Sequence, residues 1–390
     1  MFKFYLRQTV PFKFYDLIKI NSLFTDKKYR SVKYTENNIK NRIGTKYAVV
    51  TNSLRSGLTN SLKFYVNKYP NRNQIILPEY SFYSNLSSTL ELNLKVIYAP
   101  IDKNTLELDL NILQKYITKK TLGIIVTHIH GLSYDMQKLN LLIKRNKLVL
   151  FEDCAHVFGQ HYNNRLLGSF GVGCFSFGPG KNITSFGGGS VCTNDDKLFR
   201  YLKNRQIPNN NFISEIKTLL FFVAFTIASD PYFSFFLIKP ILGLNNIIKK
   251  NSNHKSSVNI NDVSEKILTP NRLQLLLLNY QLKKIYGRIE NIFLKRKTIA
   301  NIYTDYFSNN NVKREYNYYF QYPVNVTNSK KTIFKGLNNN IDIQQDYCSY
   351  LPDLYKSNKL ETKFNKNIVY LPVNYHMSKK HTINMLNKIF

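Results

Sequence analysis

The feature that most limits how this chain can fold is an alternation of short apolar runs with longer mixed segments between about residues 45 and 195. The apolar runs are residues 47–50, 75–77, 96–99, 122–126, 148–151, 174–177 and 190–192. Helix-length segments, such as residues 56–67 and 108–116, separate most of the early runs. Short apolar strands that alternate with helices are typical of an α/β fold with a mostly parallel sheet. In such sheets, ligands bind at the carboxyl ends of the strands.

The length of 390 residues exceeds one domain of average size and fits two. A polar stretch at residues 245–261, rich in Asn, Lys and Ser, indicates a loop or linker. After it, helical spacing of leucines from Arg272 predicts one long helix that runs toward Tyr306. Short strands at 318–324 and 368–371 and a helix at 378–389 are predicted beyond it. We therefore predict a large domain at residues 1–250 and a smaller C-terminal α/β domain at residues 251–390.

The formal net charge of +31 would usually indicate nucleic acid or an anionic surface as a partner. The positive charge is spread along a chain that is also rich in Asn, Ile, Tyr and Phe and has no Trp, a bias typical of A/T-rich codons. Because no dense block of Lys and Arg stands out, we do not expect a nucleic-acid partner. We expect a solvated basic surface, which can also attract anionic substrates or a negative membrane surface.

The cysteine pattern and the N-terminus indicate that the chain has neither a metal site nor a signal peptide. Cysteines are few and far apart without any CxxC spacing, so we expect no metal site; they are Cys154, Cys174, Cys192 and Cys348. Such low cysteine use fits a reducing cytoplasm. The first 20 residues lack a clean apolar core followed by small residues, so no signal peptide is predicted.

Residues 219–244 form a strongly apolar segment that is interrupted at Asp230-Pro231 and at Lys239-Pro240. Its longest uninterrupted part has about half the length of a membrane-spanning helix. Three interpretations stay open: buried helices of the large domain, a hydrophobic hairpin in a membrane interface, or an oligomer contact. The membrane interface is favoured by flanking lysines, namely Lys217, Lys249, Lys250 and Lys255.

Residues 151–195 carry the candidate chemistry. One predicted strand ends in Glu152-Asp153, and another leads into a glycine-rich turn, Gly178-Pro179-Gly180, before Lys181. Glycines let the backbone turn tightly and approach a ligand closely. A lysine held there in a partly dry pocket offers a neutral amine, which condenses with an aldehyde. Pyridoxal phosphate (PLP) chemistry needs such a lysine, and a carboxylate that keeps the pyridine nitrogen protonated. Lys181 and Asp153 match these two roles; the alternative is a capping aspartate and an exposed loop lysine.

The same stretch resembles the DegT/DnrJ/EryC1/StrS family of sugar aminotransferases in the order and spacing of its motifs. The matching motifs are Glu152-Asp153-Cys154-Ala155-His156, Gly168-Ser169-Phe170-Gly171, Phe175-Ser176-Phe177, Lys181-Asn182, Gly187-Gly188-Gly189 and Thr193-Asn194-Asp195. Weaker matches lie at residues 44–48, 78–82, 128–131 and 370–373. The resemblance implies the type I, aspartate-aminotransferase-like PLP fold. In that fold, a large domain with a mostly parallel seven-stranded sheet carries a smaller C-terminal α/β domain.

The positions of residues within these motifs imply roles around the cofactor. Lys181 corresponds to the lysine that forms the Schiff base, and Asp153 to the partner of the pyridine nitrogen. Ser176 corresponds to a serine that hydrogen-bonds the cofactor phosphate, and Phe82 to an aromatic ring that stacks on the cofactor. His156 corresponds to the Gln or His beside the cofactor. For Phe82 and His156, the alternatives are a core phenylalanine and a structural histidine.

Ser53 and Arg55 lie between a predicted strand and a predicted helix, where the family often has Asn-Ser-Gly-Thr-Ser and this chain has Asn-Ser-Leu-Arg-Ser at residues 52–56. The free N–H groups of a helix N-terminus suit a phosphate. We predict that Ser53 contacts the cofactor phosphate and that Arg55 adds a charge-assisted contact. Ile267 stands where many members have an asparagine that reaches the partner subunit's cofactor phosphate, so this chain lacks that side chain.

The resemblance implies an aminotransferase that passes an amino group from glutamate to a keto-sugar nucleotide, in surface-polysaccharide or amino-sugar biosynthesis. It also implies a homodimer. One alternative is sugar dehydration by the same fold, against which Lys181 argues because the dehydratases have histidine there. A second is a non-catalytic or membrane-scaffolding member, which the apolar residues 219–244 motivate. We expect a cytoplasmic protein, with peripheral contact to the inner face of a membrane as the further hypothesis.

Overall fold

The computed structural model describes residues 2–102, 106–248, 266–307, 319–345, 348–356 and 367–390. Its strands are β1 (Tyr47–Thr51), β2 (Gln74–Pro78), β3 (Tyr80–Ser81), β4 (Lys95–Ala99), β5 (Thr121–Thr127), β6 (Val149–Asp153), β7 (His161–Tyr162), β8 (Arg165–Leu166), β9 (Val172–Ser176), β10 (Gly189–Thr193), β11 (Gln206–Ile207), β12 (Ile267–Leu268), β13 (Gln321–Asn325), β14 (Ser349–Tyr350) and β15 (Ile368–Pro372). Its α-helices are α1 (Phe14–Ser22), α2 (Val32–Ile43), α3 (Leu54–Lys68), α4 (Tyr83–Leu90), α5 (Met136–Arg145), α6 (Asp196–Lys203), α7 (Phe212–Ala228), α8 (Pro231–Phe233), α9 (Lys239–Ile248), α10 (Arg272–Lys284), α11 (Tyr286–Tyr306), α12 (Ser329–Asn338) and α13 (Lys379–Ile389). A π-helical turn at Ser234–Ile238 joins α8 to α9.

The central sheet has seven strands in the order β1-β10-β9-β6-β5-β2-β4. Neighbouring strands are parallel except where β10 pairs with β1 and β9. These strands coincide with the seven apolar runs of the sequence. The predicted α/β class with a mostly parallel seven-stranded sheet is thereby confirmed.

Both faces of this sheet are covered, because successive side chains of a strand point to opposite faces. On β1, Val50 packs in one apolar cluster and its neighbour Val49 in a second. The first cluster includes side chains from α2, α5 and α10, and the second includes side chains from α3, α4 and α6. Helices on both faces leave the carboxyl edge of the sheet as the place where strand ends meet polar side chains.

The C-terminal part of the chain has its own apolar cluster. Strands β13 and β15 pair antiparallel, with Gln321 opposite Pro372. Their side chains pack with residues of α11 and α13. The leucines of α10, by contrast, pack in the core of the central sheet. The predicted boundary at residue 250 stays a prediction, but packing groups α10 with the large sheet.

The predicted single long helix after Arg272 is wrong in one respect. Two helices, α10 and α11, replace it, and they meet at Ile285, whose φ of −126° and ψ of 11° are not helical. The Ile285 side chain is buried in the central core. The predicted linker at 245–261 lies largely outside the described residues.

The apolar residues 219–244 lie in α7, α8, the π-helical turn and α9. Among the described residues, no single helix is long and apolar enough to cross a membrane. Together, the helices Phe212–Ala228 and Pro231–Leu244 have the length and apolar composition of a membrane span, but the pair is bent by 90°. Many large side chains of this pair are exposed. The interpretation as buried core helices is therefore wrong for the side of the pair that carries them.

Candidate active site

Five strands place an end at the carboxyl edge of the central sheet. In the sheet register, Thr51 of β1 lies opposite Gly189 of β10, which in turn lies opposite Ser176 of β9. Asp153, the last residue of β6, lies between β9 and β5, where it is in register with Thr127. These positions reach one edge because β1, β5, β6 and β9 run in the same direction and end there, whereas the antiparallel β10 begins there.

Asp153 is 2% exposed, and hydrogen bonds hold both of its carboxylate oxygens. Oδ2 accepts from the Asn85 amide at 2.8 Å, and Oδ1 accepts from the Ala155 N–H at 3.1 Å. Burial raises the pKa of the Asp153 carboxyl, while these two hydrogen bonds and the positive charge of Lys181 act to lower it. Within the described part of the chain, Asp153 forms no ion pair. Asp153 is therefore a buried carboxylate that can accept a hydrogen bond from a cationic N–H group.

Asn85 is a site residue that sequence reasoning missed. It lies on α4, and besides Asp153 it donates to the Thr127 hydroxyl at 3.0 Å. The Ser81 hydroxyl in turn lies 2.6 Å from that of Thr127. The available signal was a polar residue one turn into the helix that follows the predicted strand at 75–77.

Lys181 lies in the turn after β9, and its Nζ is 3.0 Å from Nε2 of His156. The other ring nitrogen of His156, Nδ1, accepts from the backbone N–H of His130 at 3.2 Å. Burial lowers the pKa of His156 well below its usual value, and the positive charge of Lys181 lowers it further. The network therefore holds the Lys181 amine, the group that imine chemistry needs, beside a buried imidazole.

Aromatic packing fixes the plane of the His156 ring. The Phe320 ring stacks on it with centroids 4.3 Å apart and planes at 9°. Phe320 also donates its backbone N–H to the carbonyl of His130 at 2.6 Å. The predicted role of His156 beside the cofactor stays a prediction, but its ring contacts Lys181 directly, and Phe320 reaches it from the C-terminal part of the chain.

Arg296 is a second residue that sequence reasoning missed. Its guanidinium is 5% exposed and donates to Oδ1 of Asn182, the neighbour of Lys181, at 2.5 Å. Nδ2 of Asn182 donates to the His156 carbonyl at 2.9 Å. Burial lowers the pKa of Arg296 to about 10, and within the described ranges no carboxylate pairs with it. The helical spacing of the sequence does not indicate which arginine of α11 is buried beside the site.

Ser53, Ser176 and the glycines around β10 form a backbone-lined cradle. The Ser53 hydroxyl caps α3 by accepting from the Ser56 N–H at 3.1 Å, and that of Ser176 accepts from the Gly178 N–H at 3.3 Å. A Cβ added at Gly189 would lie 2.5 Å from the Leu54 nitrogen. Only glycine therefore lets β10 approach the start of α3.

Arg55 and Phe82 occupy less direct positions. The Arg55 guanidinium forms an ion pair with Glu91, so its predicted phosphate contact stays a prediction. Phe82 is half-buried at the start of α4, with its ring centroid 4.7 Å from that of Tyr83. Its predicted stacking on the cofactor also stays a prediction.

The residues at this edge fit PLP by their chemistry. Asp153 is a buried acceptor that forms no ion pair within the described residues, Lys181 presents a primary amine, and the Gly189 cradle has hydroxyls and backbone N–H groups that suit a phosphate. Lys181 and Asp153 are also close enough to influence each other electrostatically. Fold and site together define the class of type I, aspartate-aminotransferase-like proteins.

Comparison with known proteins supports that class and narrows it. Residues 19–210 match the DegT/DnrJ/EryC1/StrS aminotransferase family. The chain is 20% identical to Helicobacter pylori PseC, an aminotransferase involved in the biosynthesis of pseudaminic acid, with a TM-score of 0.71 over 99% of this chain and 98% of that one. It also superposes on the Escherichia coli GDP-4-keto-6-deoxy-D-mannose-3-dehydratase with a TM-score of 0.74, 16% identity and full coverage of both chains. At such identities, the structural matches show the fold alone.

Curated relatives match a shorter part of the chain. Over 132 residues it is 33% identical to a UDP-N-acetyl-3-dehydro-alpha-D-glucosamine 3-aminotransferase of Acidithiobacillus ferrooxidans, which covers 33% of this chain and 36% of that protein. Over 182 residues it is 30% identical to the UDP-4-amino-4,6-dideoxy-N-acetyl-beta-L-altrosamine transaminase of Helicobacter pylori, covering 45% and 48%. The matched parts thus span about a third to a half of these relatives. The match of residues 19–210, just under half of the chain, to the DegT/DnrJ/EryC1/StrS aminotransferase family agrees with the family that the motifs predicted.

Proposed function

We propose that this protein is a PLP-dependent aminotransferase that transfers an amino group from glutamate to a keto-sugar nucleotide. One observation carries the proposal: a buried carboxylate, Asp153, and the amine of Lys181 occur together at the carboxyl edge of the sheet. The match to the family over residues 19–210 supports the reaction class. The names of two curated relatives, both aminating enzymes of UDP-linked sugars, support the substrate class.

Each predicted site residue has a proposed task in holding the cofactor. Asp153 would accept the pyridine N–H, and Lys181 would bind the aldehyde carbon. Ser53, Ser176 and the N–H groups at the start of α3 would take the phosphate, and Phe82 would stack on the ring. When bound, PLP supplies an electron sink for the bond that breaks at the substrate carbon.

The chain's own residues would carry out the proton transfers. Lys181, once released from the cofactor, would move a proton at the substrate carbon, with Nε2 of His156 3.0 Å from its Nζ. Asn85 and the Ala155 N–H favour the ionised form of Asp153, so that it keeps the pyridine proton in place. In the net reaction, glutamate becomes 2-oxoglutarate and the sugar ketone becomes an amine. No external oxidant is needed.

The surroundings of the site support an anionic, nucleotide-linked substrate. The formal net charge of +31 attracts a diphosphate to the protein surface. Arg296 adds a buried cation beside Lys181, with no carboxylate partner in the described part of the chain. The four cysteines are buried and free, which supports a reducing cytoplasm as the working compartment. We propose a homodimer on the family resemblance alone.

Sugar dehydration is the second candidate, since a dehydratase shares the fold. It is not favoured, because the two relatives described above are aminotransferases by name and Lys181 provides the amine that amino transfer uses.

A product assay separates these candidates. PLP-loaded protein is incubated with glutamate and a panel of keto-sugar nucleotides, and the products are identified by mass spectrometry. We expect an amino sugar and stoichiometric 2-oxoglutarate. A deoxy-keto sugar without 2-oxoglutarate would contradict amino transfer. Failure to bind PLP at all would contradict the cofactor assignment.

A further inference from the structure

Helix α7 has an inverted pattern of burial. It buries Thr218 and Thr226 together with Phe222, whereas Leu220 is 64% exposed and Phe212 is 66% exposed. A water-facing helix normally turns threonines outward and its leucines and phenylalanines inward. One side of α7 packs against the protein through Phe222 and the threonines, and the other side exposes large apolar side chains to solvent.

The exposed apolar side continues past the bend into the π-helical turn and α9. The Phe2 ring extends it, because its centroid lies 5.5 Å from that of Phe235 and 6.1 Å from that of Phe236. We call this set the apolar surface: Phe2, Phe212, Ile213, Ile216, Leu219, Leu220, Phe221, Tyr232, Phe233, Phe236, Leu237, Ile241 and Leu244. Isolated exposed apolar residues are ordinary, but a continuous set of this size marks an interaction site.

The charges around the apolar surface are mostly positive. Lys3 lies over the Tyr232 ring at 4.8 Å, and Lys239 lies over the Phe235 ring at 4.9 Å. Lys217 is exposed within α7. Both acidic groups of α7 and the bend have local tasks: Glu215 pairs with Arg272, and Asp230 caps α8. Apolar side chains next to lysines match a lipid surface with anionic headgroups.

We propose that the apolar surface docks this protein onto an anionic bilayer leaflet. The helices α7 and α9 lie in the interface with their exposed side chains among the acyl chains, and Lys3 and Lys217 meet phosphate headgroups. The 90° bend favours a position in one leaflet over a crossing of the bilayer. This docking does not depend on the proposed amino transfer.

A second copy of the chain fits the surface less well. A two-fold contact would place the same patch on both sides and would bring the lysines of one copy toward those of the other. An anionic leaflet offers the opposite charge.

The absence of tryptophan from the chain makes a direct test available. Leu220→Trp places a single fluorophore on the apolar surface, and Leu141→Trp places one on α5, where Leu141 is 59% exposed. With phosphatidylcholine vesicles that contain phosphatidylglycerol, we expect a blue shift for Leu220→Trp and no shift for Leu141→Trp. Equal spectra of the two variants with and without vesicles would overturn the proposal.

Vesicle co-sedimentation supplies the matched loss-of-binding test. Leu220→Ser is expected to weaken the partition onto anionic vesicles roughly tenfold, whereas Leu141→Ser leaves it unchanged. Circular dichroism confirms that both variants fold, and added salt or pure phosphatidylcholine weakens binding of the unaltered protein. If that protein stays in the supernatant and instead forms an oligomer that Leu220→Ser dissociates, the surface is a contact between copies and the membrane proposal is wrong.

Discussion

Oδ2 of Asp153 accepts a hydrogen bond from the Asn85 amide at 2.8 Å, although burial raises the pKa of that carboxyl. Asn85 therefore opposes burial and favours the ionised form. A residue two strands and a helix away in sequence thus sets the charge of the group proposed to hold the pyridine nitrogen.

This relationship predicts the behaviour of Asn85→Ala. Loss of the hydrogen bond should raise the pKa of Asp153 further and weaken PLP binding by about tenfold, since a hydrogen bond to a charged group contributes roughly 1.5–3 kcal/mol. PLP titration at pH 6 and pH 8 measures the effect, which should be larger at pH 6. Ser88→Ala, on the same helix, is the control, because the Ser88 hydroxyl has no hydrogen-bond partner within the described residues. Equal losses in both variants would contradict the role of Asn85.

The amine of Lys181 is predicted to be indispensable. Lys181→Ala should lower the rate of amino transfer by about 10²–10⁴-fold, the usual contribution of a positioned proton-transfer group. The unaltered protein should keep PLP covalently after borohydride reduction, with the label on the Lys181 peptide. Lys181→Arg preserves the charge but has no amine for the imine, so it should fail in the same way. Labelling of another lysine would refute the assignment.

Substitution of Arg296 allows an effect on activity to be distinguished from an effect on stability. Arg296→Met should slow amino transfer by about tenfold or more, because the Asn182 contact beside Lys181 is lost. It should leave the melting temperature unchanged or higher, because a buried cation without a carboxylate partner contributes little to stability. Arg200→Met, at an exposed position on α6, is the matched control and should change neither. A large drop in melting temperature for Arg296→Met would instead indicate a structural role.

Gly189→Ala tests the backbone cradle. The added Cβ would meet the Leu54 nitrogen at 2.5 Å and the Phe175 carbonyl oxygen at 2.7 Å, so the start of α3 must shift. We expect about tenfold weaker PLP binding, since overpacking of this kind costs roughly 1–3 kcal/mol. Gly171→Ala is the steric control: its Cβ would lie 2.3 Å from the Leu150 oxygen, before β9 begins. It should destabilise the fold without a specific loss of PLP affinity.

Two buried imidazoles predict how stability depends on pH. Burial lowers the pKa of His130 to about 3 and that of His156 well below its usual value. Below pH about 6.5 the unfolded chain takes up protons at both residues and the folded chain does not. The free energy of unfolding should therefore be retained above pH 6.5 and fall below it, by up to about 1.4 kcal/mol per pH unit for each imidazole. Urea unfolding at pH 7 and pH 5 measures this slope.

His130→Asn isolates one of these contributions. Asparagine tolerates the φ of 56° at this position and does not titrate, so the loss of stability between pH 7 and pH 5 should shrink. The opposite contribution of Asp153, whose pKa is raised, is present in every variant and cancels in the comparison. His161→Asn, at an exposed position, should leave the slope as it is. An unchanged slope for His130→Asn would be the contradicting result.

Local sequence was sufficient for the strands and for the two central site residues. Each of the seven sheet strands is a short apolar run, because a strand covered on both faces needs apolar side chains throughout. Lys181 and Asp153 lie in motifs whose order and spacing are read directly along the chain. The long helix was mispredicted at Ile285 because helical periodicity does not report a local change in backbone angles.

The sequence by itself determined the α/β class, the resemblance to the family and the residues proposed to hold the cofactor. Only the tertiary structure decided that Asn85, Arg296 and Phe320 surround them, since those side chains come from distant parts of the chain and reach the site through packing. The same holds for residues 219–244. Their apolarity is a property of the sequence, but whether an apolar side chain faces the core or the solvent depends on which neighbours the fold brings to each side of the helix.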